Sequence, residues 1–512
     1  MSLYSKLAAL FVSVAVLPLS LFACSSNQSP AVTTDDPAAE LIDVSKEFCI
    51  ITPARDKIAT KLARSLKSAV SKQAGLDLTS YSDQVTEYSP VTEQEILVGK
   101  TTRQESVDAY AALGENEWSV SVVNRKIVIA GNSVIALGDA IDHFISAYVT
   151  GKATISIPVD ANHQSSSAVY SLDWAKGELI ETGVAGGYPR MYSLQSGTLL
   201  LAHDGMYVYR STDYGLTREK PRMASQKEKG TANAALYQTE DGTVYLGYRS
   251  TYHNDDGSFY SSIKVSYSTD DGMTWKTHST VYENTEPGGN YNGVWEPHFG
   301  MMNGMLTCFY ANDSRNVTDY QNIEYKQWDP ATQQWINRTI VSNGNNHQSR
   351  DGMPVWQQLS TGEYVCVMEA WNKDDNNRFA IKLTYSEDGT TWSDPITVMR
   401  STRVDGDCAA PYVIELPNGQ IVVSCQTNEL NQAEAELADN TLYMSTVISD
   451  GTPISMLTEK NFSAHSYPYT DNQPGNLKGY MWNCMYVYGY YLFTCSNGPN
   501  GIRLNRLDFT KE

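Results

Sequence analysis

Two glutamates in the C-terminal part of the chain sit in surroundings suited to acid–base chemistry. Glu296 lies in Val294-Trp295-Glu296-Pro297-His298, and Glu369 in Val367-Met368-Glu369-Ala370-Trp371. Apolar and aromatic neighbours disfavour a carboxylate's charge and raise its pKa, and aromatic rings can also stack on a sugar. Two carboxylates placed across one bond, one a protonated acid and the other a nucleophile or base, are what cleavage of a glycosidic linkage requires. Met368, Ala370 and Trp371 make the setting of Glu369 the more apolar, which favours Glu369 as the acid/base. Arg190, Asp204, Arg249, Trp295, His298, Arg350, Asp351 and Trp371 fall at related positions and are expected to line a substrate site. The arginines are read either as substrate clamps or as ion-pair partners of the acids.

These residues belong to a repeated hairpin. Its clearest copy runs from Asp351 to Trp371: an apolar strand opening near Pro354, a turn at Ser360-Thr361-Gly362, and a return through Tyr364-Val365-Cys366-Val367-Met368. Six copies are found, with hairpin glycines Gly197, Gly242, Gly304, Gly362, Gly419 and Gly489, spaced by 45, 62, 58, 57 and 70 residues. In four of them a proline opens the first strand and the residue fifteen positions later closes the second: Asp204 after Pro189, Asn312 after Pro297, Glu369 after Pro354, Gln426 after Pro411. An all-strand repeat of this length predicts a β-propeller with one four-stranded blade per repeat. Equivalent hairpin positions then converge on a central channel, which is why the residues above are grouped.

Between hairpins lies a second motif. Ser268-Thr269-Asp270-Asp271-Gly272-Met273-Thr274-Trp275 fits S-x-D-x-G-x-T-W; the copy at Ser211 has Arg218 in place of Trp, and the copy from Ser386 to Trp392 is one residue short. The residue types are those of a turn, with Asp and Ser capping backbone groups and Gly supplying a positive φ. Calcium-loop spacing is absent, and no cysteine or histidine pattern suits zinc, so neither a metal nor a cofactor is expected.

The N-terminal part reads differently. Residues 43–160 alternate short strands with amphipathic helices, among them Lys57–Lys72 and Val134–Val149, and predict a small α+β domain ahead of a propeller over 172–512. The fold class expected is therefore mainly β, a six-bladed β-propeller preceded by a small α+β domain. Before these domains, residues 1–24 have the form of a signal peptide: Lys6, an apolar run from Leu7 to Leu21, then Leu21-Phe22-Ala23-Cys24, which is similar to a bacterial lipoprotein lipobox. Lipidation of Cys24, with residues 25–42 as a flexible tether, would place the protein in the bacterial cell envelope, touching membrane only through its anchor. Setting Cys24 aside leaves seven of the eight cysteines, an odd number at irregular spacing; Cys484 and Cys495, facing each other across a hairpin, are the best candidates for a disulfide. The net charge of −20 excludes a nucleic-acid partner, but a local arginine cluster still allows an acidic sugar. A monomer is expected.

The S-x-D-x-G-x-T-W motifs resemble the Asp-box (BNR repeat) of the sialidase superfamily. The opening Y-P-R-M-Y-S-L-Q-S-G-T-L-L-L-A resembles that superfamily too. Within it V-W-E-P, S-R-D-G-M-P-V-W with its V-M-E, and A-P-Y-V-I-E-L-P-N-G-Q-I-V-V-S-C-Q-T-N-E are similar to glycoside hydrolase family 93, over about residues 184–505. That resemblance implies a six-bladed, retaining exo-α-L-arabinanase that releases arabinobiose, with catalytic glutamates at Glu296 and Glu369 and an oligo- or polysaccharide substrate. An exo-α-sialidase is the alternative: Arg190 stands where a sialidase has the first of three arginines, and Arg249, Arg350 and Arg378 are candidates for the others. A non-catalytic glycan-binding lipoprotein would use the same aromatic-lined funnel. The run E-I-L-V-G-K-T-T-R-Q-E-S, then K-I-V-I-A-G-N-S, resembles the non-catalytic N-terminal domain of α-glucuronidases and hexosaminidases.

Overall fold

The computed structural model describes residues 40–510 apart from 87–90, 214, 226–227, 285–292, 315–319, 373–377, 431–441, 471–478 and 499. The segment expected to be a signal peptide, Cys24, and all but the last three residues of the expected tether lie outside the described residues. Of the tether, Leu41 and Ile42 instead open a short strand, Leu41–Asp43, paired with Ser156–Pro158.

The N-terminal part is a six-stranded sheet with its helices packed against it. Its strand order is Thr79–Ser82, Cys49–Thr52, Glu95–Val98, Lys126–Gly131, Glu117–Val123, Asn162–Ser166. Asn124 and Arg125 both take positive φ (50° and 63°) at the two-residue turn, the geometry that matches strand twist in a tight hairpin. The sequence reading passes over the helix Gln104–Ala112, whose apolar face is weak, the short strand Ser156–Pro158, and the exposed strands Thr79–Ser82 and Asn162–Ser166, the last carrying the sheet beyond residue 160. Glu95 is fully buried beneath Arg103 and Lys126, 3.0 and 3.1 Å away. Lys61 reaches Glu363 and Glu387 of the propeller at 3.1 and 3.3 Å.

The remaining sheets form a β-propeller of six blades. The first four are Arg190–Ser193 to Arg222–Met223, Thr231–Gln238 to Lys276–Asn284, Val294–Met302 to Gln334–Ser342, and Arg350–Gln358 to Ile396–Met399, each of four antiparallel strands in sequence order. The fifth blade departs from the four-strand expectation. It has three strands, Cys408–Glu415, Ile421–Thr427 and Tyr443–Ile448, and its outer edge is met by bridges at Ser466 and Phe462 instead. The sixth blade combines Met481–Tyr488, Tyr491–Gly498 and Gly501–Asp508 with Glu178–Val184 from the start of the propeller. Pairing the two ends of the ring in one sheet closes it and removes a free edge.

The S-x-D-x-G-x-T-W turns join the third strand of a blade to the fourth. In each, the serine and aspartate side chains hold the loop: Ser268 Oγ accepts from the Gly272 amide (2.9 Å), and Asp270 accepts from the Thr274 amide (2.8 Å). Trp275 Nε1 donates to the Gly272 carbonyl at 3.1 Å. In the first copy Arg218 donates to the Gly215 carbonyl at 3.5 Å, so the substituted residue keeps that bond. Cys484 and Cys495 are cross-strand partners, as the hairpin reading expects, and both are buried free thiols.

Candidate active site

Each inner strand carries the same local departure from regular β structure. One non-glycine residue per blade lies in the left-handed region: Tyr188 (φ 53°), Asn233 (57°), Glu296 (48°), Met353 (50°), Ala410 (49°) and Trp482 (51°). In five blades a register shift brackets it. A residue held there costs on the order of 1–3 kcal/mol and persists only where its surroundings fix it. The restraint is visible: the Asn233 amide donates to Asp204 (2.7 Å), Ala410 to Glu369 (2.9 Å) and Trp482 to Gln426 (3.0 Å). Each acceptor closes the second strand of the preceding blade. Asp204, Glu369 and Gln426 are thus equivalent latches between blades, a structural duty the hairpin repeat encodes.

The Met353 amide breaks this pattern. It donates not to a strand-closing residue but to Glu296 Oε2 at 3.2 Å. Glu296 is itself a ring residue, so the bulge turns its carboxyl into the ring. Burial, then the charge of Glu369, pushes the Glu296 carboxyl up to about 7, against the opposing pull of Arg350, the Met353 amide and Arg249. Glu369 is buried, and each of its oxygens has a donor: Arg350 Nη1 on Oε1 (3.1 Å) and the Ala410 amide on Oε2. A carboxyl shifted upward by burial thus lies near another that sits against a cation. The neighbours that make the sequence around Glu369 apolar do not enclose its carboxyl. Met368 and Ala370 point to the other side of the strand, and Trp371 is 40% exposed.

The other expected residues divide. Arg249 stands over the Trp295 ring at 5.1 Å and donates to Asn233. Trp295 Nε1 donates to Asp313 at 3.4 Å, and Asp313 also accepts from the Gly293 amide. Trp371 is the cross-strand partner of Arg350. Asp204 is buried, which raises its pKa, and it feels both Arg249 and Arg190. Three residues do not present side chains to substrate. Asp351 points to the opposite face of its strand from Arg350, where Ser342 and Ser349 donate to it at 2.6 and 2.5 Å. His298 lies deeper in the wall, edge-on to Tyr412 and accepting at Nδ1 from the Trp356 amide (3.4 Å); burial, with Arg190 nearby, lowers its pKa to about 3. Arg190 is 4% exposed, donates to the carbonyls of Pro189 and Asn483, and stacks 3.9 Å from the Tyr188 ring.

The structure adds residues the sequence reading passed over. The Tyr188 phenol, pushed up by burial, senses Glu296, Asp204 and Glu369, and Trp482 borders Asp204 across Gly187. Both are ring residues equivalent to Glu296, so the hairpin alignment itself could have found them. Asp313 directly follows a strand-closing residue. Gln321 carried no such signal.

No family model and no curated protein sequence matches the chain. Solved structures do. An α-L-arabinofuranosidase of Fusarium graminearum in complex with an iminosugar inhibitor is 19% identical, with a TM-score of 0.50 over 66% of this chain and 98% of that one. A Penicillium chrysogenum α-L-arabinanase complexed with arabinobiose is 20% identical (TM-score 0.47; 67% and 95% covered). The Streptococcus pneumoniae NanB sialidase is 12% identical (TM-score 0.42; 69% and 74% covered). The likeness to the Fusarium graminearum structure agrees with the six-bladed propeller fold described above.

Proposed function

We propose that the protein is an exo-acting, retaining glycoside hydrolase of arabinan-like or related polysaccharide. One observation carries this reading: a carboxyl raised to about 7, Glu296, beside a second carboxylate, Glu369, that is fixed by Arg350 and the Ala410 amide. In the first step Glu296 gives its proton to the glycosidic oxygen as the bond to the anomeric carbon breaks. Glu369 Oε1 or Oε2 bonds to that carbon, and the aglycone leaves as an alcohol. In the second step Glu296, now ionised, takes a proton from water as its oxygen displaces Glu369, and the free sugar departs. Trp371 and Trp295 offer ring faces to substrate. The neighbour named as an arabinanase was complexed with arabinobiose, which suits a furanosidic substrate here. Arg190, enclosed by two carbonyls and the Tyr188 ring, is poorly placed to serve in a sialidase's carboxylate clamp. We further propose that Cys24 is lipidated and holds the enzyme at the bacterial cell envelope as a monomer.

Product analysis on linear arabinan, sialyllactose and a panel of aryl glycosides tests this, with Glu296→Gln and Glu369→Gln as controls. Release of a short arabinoside with retained anomeric configuration, abolished in both variants, is expected. Turnover of sialyllactose, or no hydrolysis of any substrate by folded protein, overturns the reading; the latter points to glycan binding alone.

A further inference from the structure

Next to Glu369 lies a polar side chain that has no visible work. Gln321 is fully buried, and neither its Nε2 nor its Oε1 has a hydrogen-bond partner among the described residues. Its backbone is tied on both sides, the amide to the Ser349 carbonyl (3.2 Å) and the carbonyl to the Asp351 amide (3.2 Å), so the point from which the side chain projects is fixed while its amide remains free to turn. Buried amides are nearly always satisfied, because an unpaired one carries its full desolvation penalty. An orphaned amide on a fixed backbone points to a demand other than stability.

One functional group that borders the space around its amide is the carboxylate of Glu369. A methyl group placed on Gly352 would lie 3.1 Å from Glu369 Oε1 and 3.2 Å from Gln321 Oε1, so the two oxygens border the same small space. Gly352 is the cross-strand partner of Glu369, and its missing side chain is what leaves that space open. The Oε1 of Glu369 already accepts from Arg350, but a carboxylate oxygen has a second lone pair. A half-turn of the Gln321 amide exchanges its oxygen for Nε2 and directs a donor at that oxygen.

We propose that Gln321 is a positioning residue for Glu369, its amide turning to donate to Oε1 as the carboxylate takes up its reacting geometry. This rests on the reading of Glu369 as the nucleophile. The amide suits the task because it is neutral: it orients the carboxylate without adding the charge that a second arginine would bring. When Glu369 bonds to the anomeric carbon, Arg350 and Gln321 are both in reach of the oxygen that becomes its carbonyl. Gly352 belongs to the same device, since any side chain there would wedge the two groups apart.

Two substitutions test it in the full chain. Gln321→Met keeps the volume and removes both polar atoms. A merely structural residue with an unsatisfied amide predicts unchanged or higher Tm and unchanged kcat. A positioning role predicts unchanged or higher Tm with kcat lower by about tenfold or more and KM within about twofold. Gln321→Glu keeps the shape but loses the donor unless protonated. Its kcat is expected to recover relative to the parent as pH falls, because a protonated carboxyl again offers a hydrogen to Oε1. Equal kcat in parent and Gln321→Met, or a Gln321→Glu to parent ratio that does not change with pH, overturns the proposal while leaving Glu369 in its role. A parent chain that hydrolyses nothing, or a fully active Glu369→Gln, removes the functional reading and this inference with it.

Discussion

Arg350 Nη1 lies 3.1 Å from Glu369 Oε1, reached across the inner hairpin of the fourth blade from the register position opposite Trp371. Glu369 shares its other oxygen's contact, on the next blade's ring amide, with the equivalent contacts of Asp204 and Gln426. The arginine is therefore what separates Glu369 from an ordinary latch. The Arg350 side chain is 41% exposed and that of Glu369 8%, so the pair opens toward the funnel on the cation's side only. Arg350→Met leaves the carboxylate with the Ala410 amide alone. A charge-assisted hydrogen bond is worth about 1.5–3 kcal/mol, so kcat/KM on a hydrolysed substrate is expected to fall about 10- to 100-fold. Arg350→Lys should restore part of this, because the observed contact is a single N–H rather than a bidentate fork. An unaffected Arg350→Met enzyme would remove Arg350 from the site.

The Glu296 carboxyl, raised to about 7, sets a pH dependence. As the proton donor it must be protonated, so kcat/KM is expected to fall above about pH 7, and this alkaline limb should vanish in Glu296→Gln on substrates whose leaving group needs no proton. Stability depends on the same group. The folded state binds the proton more tightly than the unfolded state does, so the parent loses stability as pH rises between about 4.3 and 7. Glu296→Gln lacks this loss. It should equal the parent near pH 4 and exceed it at pH 8 by at most about 4 kcal/mol, less because the side chain is partly open to the funnel. Thermal melts of the two proteins across this range check the sign.

The latches make a separate prediction about the fold. Asp204→Ala leaves the Asn233 amide without its acceptor, and Gln426→Ala does the same to Trp482. Each is expected to cost about 1–3 kcal/mol, read from denaturant midpoints. Asp204→Asn and Gln426→Glu retain an acceptor oxygen and should cost under half as much. Equal losses in both members of either pair would show that packing, not the latch, is what was removed.

The propeller was legible because its determinants are local and repeated. A proline, a hairpin glycine and a strand-closing polar residue recur at fixed offsets, and each acts within about twenty residues of chain. The same repeat placed Glu296 and Glu369 near one another. What it could not give was which way each side chain turns. Asp351 and Arg350 are neighbours in sequence, but the strand's two-residue alternation sends one to Ser342 and Ser349 and the other to Glu369. His298 and Arg190 carry groups that suit a substrate and are instead enclosed by Trp356, Tyr412 and Tyr188. The upward shift of the Glu296 carboxyl turned on burial and on a charge from another blade, neither of which composition around a residue reveals. That the fifth blade has three strands among the described residues was not legible, because nothing in the hairpin repeat specifies a blade's outer edge.

Trp371 is 40% exposed, well beyond what a tryptophan with only a structural task needs. It stands two residues after Glu369 on one strand and therefore on the same face, opposite Arg350. Under the proposed function its ring covers one face of a sugar next to the reacting bond. Such contact adds binding in ground and transition states alike, which moves KM and leaves kcat. Trp371→Ala is expected to raise KM about 3- to 10-fold on an oligosaccharide, the effect of about 0.5–1.5 kcal/mol of aromatic contact, with kcat within about twofold. A small aryl glycoside, which fills fewer subsites, should show a lesser change, and Trp371→Phe should fall between. A drop in kcat at constant KM would instead mean that Trp371 acts through Arg350 and Glu369, by holding the pair in register.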